Sequence, residues 1–436
     1  MRHILSPSAA LFHADCRDAL RQLPDNSIDS CVTDPPYALV SIMKRFGGAN
    51  AAQGNDAYMR ASAGFMGKTW DTGETAFSTE FWAEVLRVLK PGAHVVAFGA
   101  SRGYHRMACA IEDAEFEIRD SLCWIYATGF PKSMNVSKGI DKAAGAERTE
   151  VIGKSNRHGG GIVGNGTSYE ISPEVPMLYA PATPAAREWE GWGTALKPAF
   201  EPIVLARKPL SEPTVAANVL RWRTGALNID ACRVEAPGKG WPKTRRYAPG
   251  QMTGGEGNLR GQTEETIDQS DLGRWPTNVV HDGSDEVVGA FPRTAPAKAG
   301  KRNAPKSGGT FGDYAGDEPE RLGHSDAGGS AARFFYSAKA SKADRNGSKH
   351  PTVKPISLME WLCTLITPPG GTVLDPFAGS GTTGIAAQNK GFQVVLCERE
   401  AEYVTDIKAR FAGSIPASGS KFLSAAWKAD TQTARL

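Results

Sequence analysis

Two short strings hold residue types at a spacing that could do chemistry. Asp375-Pro376-Phe377-Ala378-Gly379-Ser380-Gly381 joins an apolar run, Thr372 to Asp375, to a helical pattern from Thr382 to Lys390. Glycines in such a turn let the backbone come close to a ligand, and the helix that follows opens with unpaired N–H groups suited to a carboxylate or another anion. A plain tight turn between strand and helix needs glycine as well, so the turn alone says little. Glu398 stands 17 residues beyond Gly381, at the end of the next apolar run. An acid at that place in a nucleotide-binding unit accepts hydrogen bonds from ribose hydroxyls. The second string is Asp34-Pro35-Pro36-Tyr37, directly after the apolar run Ile28 to Thr33. The two prolines remove two backbone donors and fix φ, leaving carbonyls and the Asp34 carboxylate as a rigid set of acceptors. Acceptors alone suit an amino group with its two N–H donors, and a tyrosine ring offers a face on which a planar heterocycle can stack. The bland alternative is an Asp-Pro turn followed by a packed tyrosine.

The elements that would position these strings alternate between strand and helix. Ser78 to Lys90 carries Phe81, Trp82, Val85, Leu86 and Leu89 at helical spacing, with Ser78 as N-cap and Pro91-Gly92 as the stop. His94 to Phe98 reads as a strand, Tyr104 to Ala114 as a helix, and Ile118 to Tyr126 as a second strand. Near the other end, Phe392 to Cys397 reads as a strand and Ala401 to Phe411 as a helix. This alternation predicts an α/β fold with a doubly wound, mostly parallel sheet, in which ligands bind at the carboxyl ends of the strands. Between the two blocks, residues 153–200 and 236–330 are rich in glycine and proline and read as loops or a loosely built insertion. No internal repeat recurs at a fixed period.

Composition narrows the class. The chain has 436 residues, 50 Lys and Arg against 47 Asp and Glu, and a net charge of +3. Length favours two domains or one large domain with an insertion. A 41% hydrophobic fraction places it with soluble globular proteins, and the charge balance excludes a polycationic nucleic-acid coat. The seven cysteines are scattered, with no C-x-x-C pair, and read as reduced thiols of a cytoplasmic protein. The apolar stretch near the N-terminus is too short for a signal peptide, and no window suits a membrane span. Neither a zinc-ligand spacing nor a phosphate-binding P-loop occurs, so no metal is expected.

With these motifs in view, the sequence resembles the beta class of S-adenosylmethionine-dependent DNA methyltransferases that act on amino groups. The resemblance rests on D-P-P-Y at 34 to 37, F-A-G-S-G at 377 to 381, His350-Pro351-Thr352-Val353-Lys354-Pro355, and the lead-in from Ala14-Asp15 through Leu23-Pro24-Asp25-Asn26-Ser27-Ile28-Asp29. It covers about 1–130 and 345–411, with a weaker echo at Pro198 to Pro209. The catalytic motif precedes the cofactor motif, which implies a Rossmann-like methyltransferase fold with circularly permuted motif order and an inserted target-recognition region. The implied divisions are a first catalytic part over 1–210, target recognition over 211–344, a second catalytic part over 345–412 and a tail over 413–436.

The resemblance also implies roles. Asp34, Pro35, Pro36 and Tyr37 would be catalytic, with Asp34 and the Pro35 carbonyl accepting from the target amine and Tyr37 stacking on the base. S-adenosylmethionine would be lined by Asp34, Asp375, Phe377, Ala378, Gly379, Ser380 and Gly381, with Glu398 at its ribose and Asp15 at its adenine. Thr352, Lys354 and Pro355 would wall the same pocket. Lys68 and Trp70 lie in a glycine-rich stretch with Gly64, Gly67 and Gly73 that could close over DNA as a flap. Basic clusters at Arg221 and Arg223 beside Trp222, at Lys243, Arg245 and Arg246, and at Lys298, Lys301 and Arg302 could contact phosphates. Each could equally be a solvated face.

The expected activity is methylation of adenine N6 in double-stranded DNA, with the base flipped out of the helix. Cytosine N4 is the alternative, since cytosine enzymes of the family more often carry serine in the first motif position. A protein or small-molecule N-methyltransferase fits less well, because such enzymes place the cofactor loop first. A non-catalytic DNA-binding descendant of the fold is a third reading, against which the intact Asp34, Gly379 and Gly381 stand. A homodimer is expected. No nuclease motif is present, so a partner endonuclease is not legible.

Overall fold

The computed structural model describes residues 1–37, 75–129, 133–154, 177–235, 273–296, 328–338, 344 and 353–413. It also describes the backbone of the short strands 162–163, 170–171, 244–245, 266–267, 301–302 and 321–322. One ten-stranded sheet organises the larger part of the chain. In chain order its strands are β1 (Arg2–Ser6), β2 (Ala9–His13), β3 (Ile28–Thr33), β4 (Leu89–Phe98), β5 (Glu117–Ile125), β6 (Phe200–Arg207), β7 (Val279–His281), β8 (Tyr336–Ser337), β9 (Thr372–Asp375) and β10 (Gln393–Glu398). Across the sheet the order is β1-β2-β10-β9-β3-β4-β6-β5-β7-β8. The five strands from β2 to β4 run parallel, β1 and β6 run antiparallel to their neighbours, and β5, β7 and β8 are again mutually parallel. The sheet is thus α/β and mostly parallel, as the sequence predicts.

The helices are α1 (Cys16–Leu20), α2 (Thr79–Val88), α3 (Tyr104–Asp113), α4 (Val136–Ala143), α5 (Pro184–Glu188), α6 (Val215–Trp222), α7 (Asp285–Ala290), α8 (Ile356–Ile366), α9 (Thr382–Asn389) and α10 (Ala401–Ala412). Successive strand side chains alternate between faces, and both faces of this sheet are covered. Val95 and Ala97 of β4 and Val395 and Cys397 of β10 join Leu20 of α1, Phe81 and Trp82 of α2 and Ile111 of α3 in one core. Val96 and Phe98, with Val394 and Leu396, join Trp361 and Leu362 of α8, Ile385 of α9 and Phe411 of α10 in the other. The central strands therefore read as continuous apolar runs.

The expected helix over 78–90 stops at Val88, and β4 begins at Leu89 and runs through Pro91-Gly92. Gly92 takes a positive φ of 80°, which glycine adopts without strain. The Pro91 carbonyl accepts from Asn218 Nδ2 at 2.8 Å and from Thr224 Oγ1 at 2.6 Å. Asn218 lies on α6, 127 residues along the chain, so a dipeptide that reads locally as a stop is held in the sheet by a distant amide.

The chain divides into two compact units, residues 1–127 with 200–436, and Thr128–Ala199. The second unit centres on Asp141 of α4, whose buried carboxylate accepts from the backbone N–H groups of Ala182 and Thr183, both at 3.0 Å. It accepts also from Thr183 Oγ1 at 2.8 Å and from Arg148 Nε at 2.6 Å. Of the stretch over 153–200 read as loose, residues 177–200 are among the described ones, and Ala182 and Thr183 there are held by this buried acid. Among the described residues no helix is long and apolar enough to cross a membrane.

Candidate active site

Parallel pairing sets the carboxyl ends of β2, β10, β9 and β3 side by side, and each end carries an acid. Asp15 follows β2, Glu398 closes β10, Asp375 closes β9, and Asp34 follows β3. His13 lies opposite Glu398 in the β2–β10 register, and the Ala14 N–H donates to the Glu398 carbonyl at 3.2 Å. Asp15 caps α1 by accepting from the Arg17 N–H at 3.0 Å. Its carboxylate is also gripped by Arg17 Nε and Nη2, both at 2.9 Å, and this guanidinium lowers its pKa.

Between these acids runs the glycine loop. Gly379 and Gly381 take positive φ values of 51° and 78°. The Gly379 N–H donates to Glu398 Oε2 at 2.8 Å, and the Glu400 N–H donates to Oε1 at 2.8 Å. Burial raises the Glu398 carboxyl to about 7 against these stabilising donors. Asp375 is raised by burial to about 6, although its Oδ1 accepts from Thr33 Oγ1 at 2.7 Å and from the Phe377 N–H at 3.1 Å. Phe377 packs its ring on Phe81, with centroids 5.2 Å apart, and Ala378 is buried. Buried Arg410 of α10 fixes the loop from behind, donating to the Ser380 carbonyl at 2.7 Å and to Ser380 Oγ and Thr382 Oγ1 at 3.1 Å. The Ser380 side chain is therefore engaged within the protein.

At the β3 end, Lys354 collects the polar groups. Its ammonium lies 2.9 Å from Asp34 Oδ2 and 2.9 Å from Glu201 Oε2, and it donates to the Tyr37 hydroxyl at 2.8 Å. Tyr37 in turn donates to Glu201 Oε2 at 2.9 Å. Burial opposes the charge on Lys354, but the two carboxylates outweigh it and raise its pKa. Burial, reinforced by the same two carboxylates, pushes the Tyr37 phenol well above its usual value. The ammonium is 5.3 Å from the Tyr37 ring centroid but 2.8 Å from the hydroxyl, so it lies beyond the hydroxyl tip and not over a ring face. Asp34 Oδ1 is buried and without a hydrogen-bond partner among the described residues. A buried acceptor in that state costs about 1–3 kcal/mol unless a ligand donor meets it.

The predicted residues thus fall into three groups. Asp15, Asp34, Pro35, Pro36, Tyr37, Lys354, Asp375, Phe377, Ala378, Gly379, Ser380, Gly381 and Glu398 gather at the carboxyl edge of the sheet, and Pro355 caps the start of α8 beside Lys354. Arg221 and Arg223 lie at the end of α6, away from these motifs in sequence. Arg221 pairs with Glu212 Oε1 at 2.6 Å, and Arg223 takes the left-handed cap position and donates to the Pro369 carbonyl at 3.1 Å. Lys68, Trp70, Lys243, Arg246, Lys298 and Thr352 lie outside the described residues, as do the side chains of Arg245, Lys301 and Arg302. Sequence reasoning missed Glu201 and Arg410. Glu201 had one signal, a lone acid at the head of the apolar run Pro202 to Ala206.

The N6/N4 DNA methylase family matches residues 28–409. Over 69 residues the chain is 39% identical to the Type II methyltransferase M2.DpnII of Streptococcus pneumoniae, a stretch amounting to 16% of this chain and 26% of that protein. The chain therefore spans about a quarter of the length of that relative. Among solved structures, the SAM complex of M1.HpyAVI is 14% identical with a TM-score of 0.37, covering 92% of this chain and 98% of that one. PvuII DNA methyltransferase, described as cytosine-N4-specific, is 13% identical with a TM-score of 0.40, covering 94% and 87%. Since the family match takes in both acidic motifs and all the sequence between them, the chain belongs to the N6/N4 DNA methylase family.

Proposed function

We propose that this chain is a site-specific DNA methyltransferase that moves a methyl group from S-adenosylmethionine to the N6 amino group of adenine in double-stranded DNA. The observation that carries the reading is Asp34, whose Oδ2 is held by Lys354 while its buried Oδ1 stays unpartnered at the edge where the glycine loop ends. The donor set suits the cofactor. Glu398 has lone pairs left for two ribose hydroxyls, Asp15 stands at the next strand end for the adenine, and α9 starts at Gly381 with no side-chain cap. Bound S-adenosylmethionine supplies an electrophilic methyl on a sulfonium.

In this reading Asp34 Oδ1 and the Pro35 carbonyl accept the two N–H bonds of the target amine. Its lone pair, otherwise delocalised into the ring, is thereby localised on nitrogen and aligned with the methyl. Tyr37, with its hydroxyl anchored, presents a ring face to the flipped base. With the cofactor bound, the amine nitrogen would form its C–N bond as the methyl's C–S bond breaks with the electron pair leaving on sulfur, and the methylated amine would then lose its proton to water. Asp34 acts as an oriented acceptor and need not be a strong base.

Chain order, with D-P-P-Y ahead of the glycine loop, supports the permuted beta class. Target recognition falls within 211–344, and the basic clusters there, together with the flap bearing Lys68 and Trp70, contact DNA. The protein acts in the cytoplasm as a homodimer, and a monomer by light scattering with and without DNA overturns that assembly. Incubation with methyl-labelled S-adenosylmethionine and unmethylated DNA, followed by nucleoside mass spectrometry, tests the activity. N6-methyladenine is the expected product, N4-methylcytosine replaces adenine by the alternative base, and no modified base overturns the reading.

A further inference from the structure

Glu201 enters the site from a direction the two motifs do not predict. Strand β6 runs antiparallel to β4, pairing Ile203 with Phe98, so the beginning of β6 meets the carboxyl end of β4. Glu201 thereby arrives at the same edge as Asp34, opposite Trp124 of β5. Its side chain is 15% exposed, that of Lys354 is 7% exposed, and that of Asp34 is 21% exposed. One oxygen, Oε2, accepts from the Tyr37 hydroxyl at 2.9 Å and forms an ion pair with Lys354 at 2.9 Å.

Two consequences follow from this geometry. The Lys354 ammonium lies 2.9 Å from Asp34 Oδ2 and from Glu201 Oε2 and donates to the Tyr37 oxygen at 2.8 Å, so it is drawn among three oxygens while Asp34 Oδ1 stays unpartnered. The charges of Asp34, Glu201 and Lys354 also leave one negative charge in excess. Without Glu201 the ammonium would neutralise Asp34 alone. With it, the Lys354 charge is divided between two carboxylates, and the neighbourhood stays negative where an amine gains positive charge as it takes up a methyl. Burial makes that difference count for more than it would in water.

We propose that Glu201 is a positioning residue for the methyl transfer assigned under the proposed function, on which this inference rests. It holds Lys354 and the Tyr37 hydroxyl so that Asp34 Oδ1 remains free and negatively charged for the target amine. Glu201→Gln keeps the shape and removes the charge, and Glu201→Asp keeps the charge and withdraws it from contact. Single-turnover methyl transfer to DNA, S-adenosylhomocysteine affinity and Tm are measured for the wild type and both variants. The Gln variant is expected to lose on the order of ten- to a hundredfold in single-turnover rate, as misplaced reacting groups do. The Asp variant falls between it and the wild type, while affinity and Tm hold.

A Gln variant within twofold of the wild-type rate overturns the proposal. So does a loss of rate matched by an equal loss of affinity and a fall in Tm, the pattern of a merely structural residue. If the Gln variant does not fold, the Asp variant decides alone, and an unchanged rate there overturns the proposal. A wild-type protein that methylates no DNA removes the underlying function as well, whereas an active wild type with indifferent variants removes only the role of Glu201.

Discussion

If Glu398 holds the ribose as proposed above, cofactor binding depends on pH in a direction that can be worked out beforehand. Its carboxyl is raised from 4.5 to about 7 by burial, and only the ionised form can accept from two ribose hydroxyls while holding the Gly379 and Glu400 N–H groups. Apparent Kd should therefore scale as one plus the protonated-to-ionised ratio, about elevenfold above its limit at pH 6 and about 1.1-fold at pH 8. The expected weakening from pH 8 to pH 6 is about tenfold, or about 1.4 kcal/mol. Isothermal titration with S-adenosylhomocysteine in two buffers of different ionisation enthalpy reads both the affinity and the protons released, about 0.9 at pH 6.

Folding should respond with the opposite sign. A carboxyl raised in the folded state holds its proton between 4.5 and about 7 while the unfolded chain has lost it. Its contribution to stability is thus present at the low end of that window and is lost as pH rises through about 7, on the order of 3 kcal/mol in all. Glu398→Gln should abolish this share of both slopes, while the folding dependences of Asp375, raised to about 6, and of buried His94, lowered to about 3 and opposite in sign, remain. A wild-type Kd constant within twofold from pH 6 to pH 8, with no proton exchange, would refute the assignment of Glu398 as a charged ribose acceptor.

Three further perturbations test the scaffold. Asn218→Ala removes the amide that donates to the Pro91 and Thr224 carbonyls, both at 2.8 Å, and accepts from the Ser211 N–H at 3.1 Å. It should cost about 2–4 kcal/mol in urea unfolding, and a loss below about 1 kcal/mol would mean that Gly92 keeps β4 in the sheet unaided. Gly384→Ala places a Cβ 2.8 Å from both Leu396 Cδ1 and Phe411 Cζ. Overpacking of about 1–3 kcal/mol outweighs a helix-propensity gain of about 1 kcal/mol, so Tm should fall, and a rise would show that α9 can lift from β10 without loss. Burial raises the Asp141 pKa, but the Ala182 and Thr183 donors and Arg148 outweigh it and hold it at about 2. Amide protection in α4 should then weaken as pH falls from 3.8 through about 2, and protection that is unchanged at pH 2 would contradict the central role of Asp141.

What could be read from the sequence divides by the distance over which each feature is specified. D-P-P-Y, the glycine loop and Glu398 are local statements: prolines that fix φ, glycines that reach positive φ, and an acid at the end of an apolar strand. Their residue types have few other uses at that spacing, so they were legible. Lys354 was legible as a candidate residue of the site but not as the ion pair of Asp34, because the sequence between them, which sets them 320 positions apart, carries no pattern that fixes their distance. Glu201 and Arg410 also act at a distance along the chain, 164 positions from Tyr37 and 30 from Ser380, and each occupies an element that reads as plain scaffold.

The same logic explains the misread boundary at Pro91-Gly92, whose strand geometry depends on Asn218. Local chemistry thus marks the groups proposed to meet a ligand, whereas the groups that hold them are set by sheet order. Once β6 is antiparallel to β4, its first residues must lie at the carboxyl edge of β3, and an acid there must either find a cation or protonate. Lys354 is that cation, and its partnership with Asp34 follows from the position of Glu201 as much as from its own.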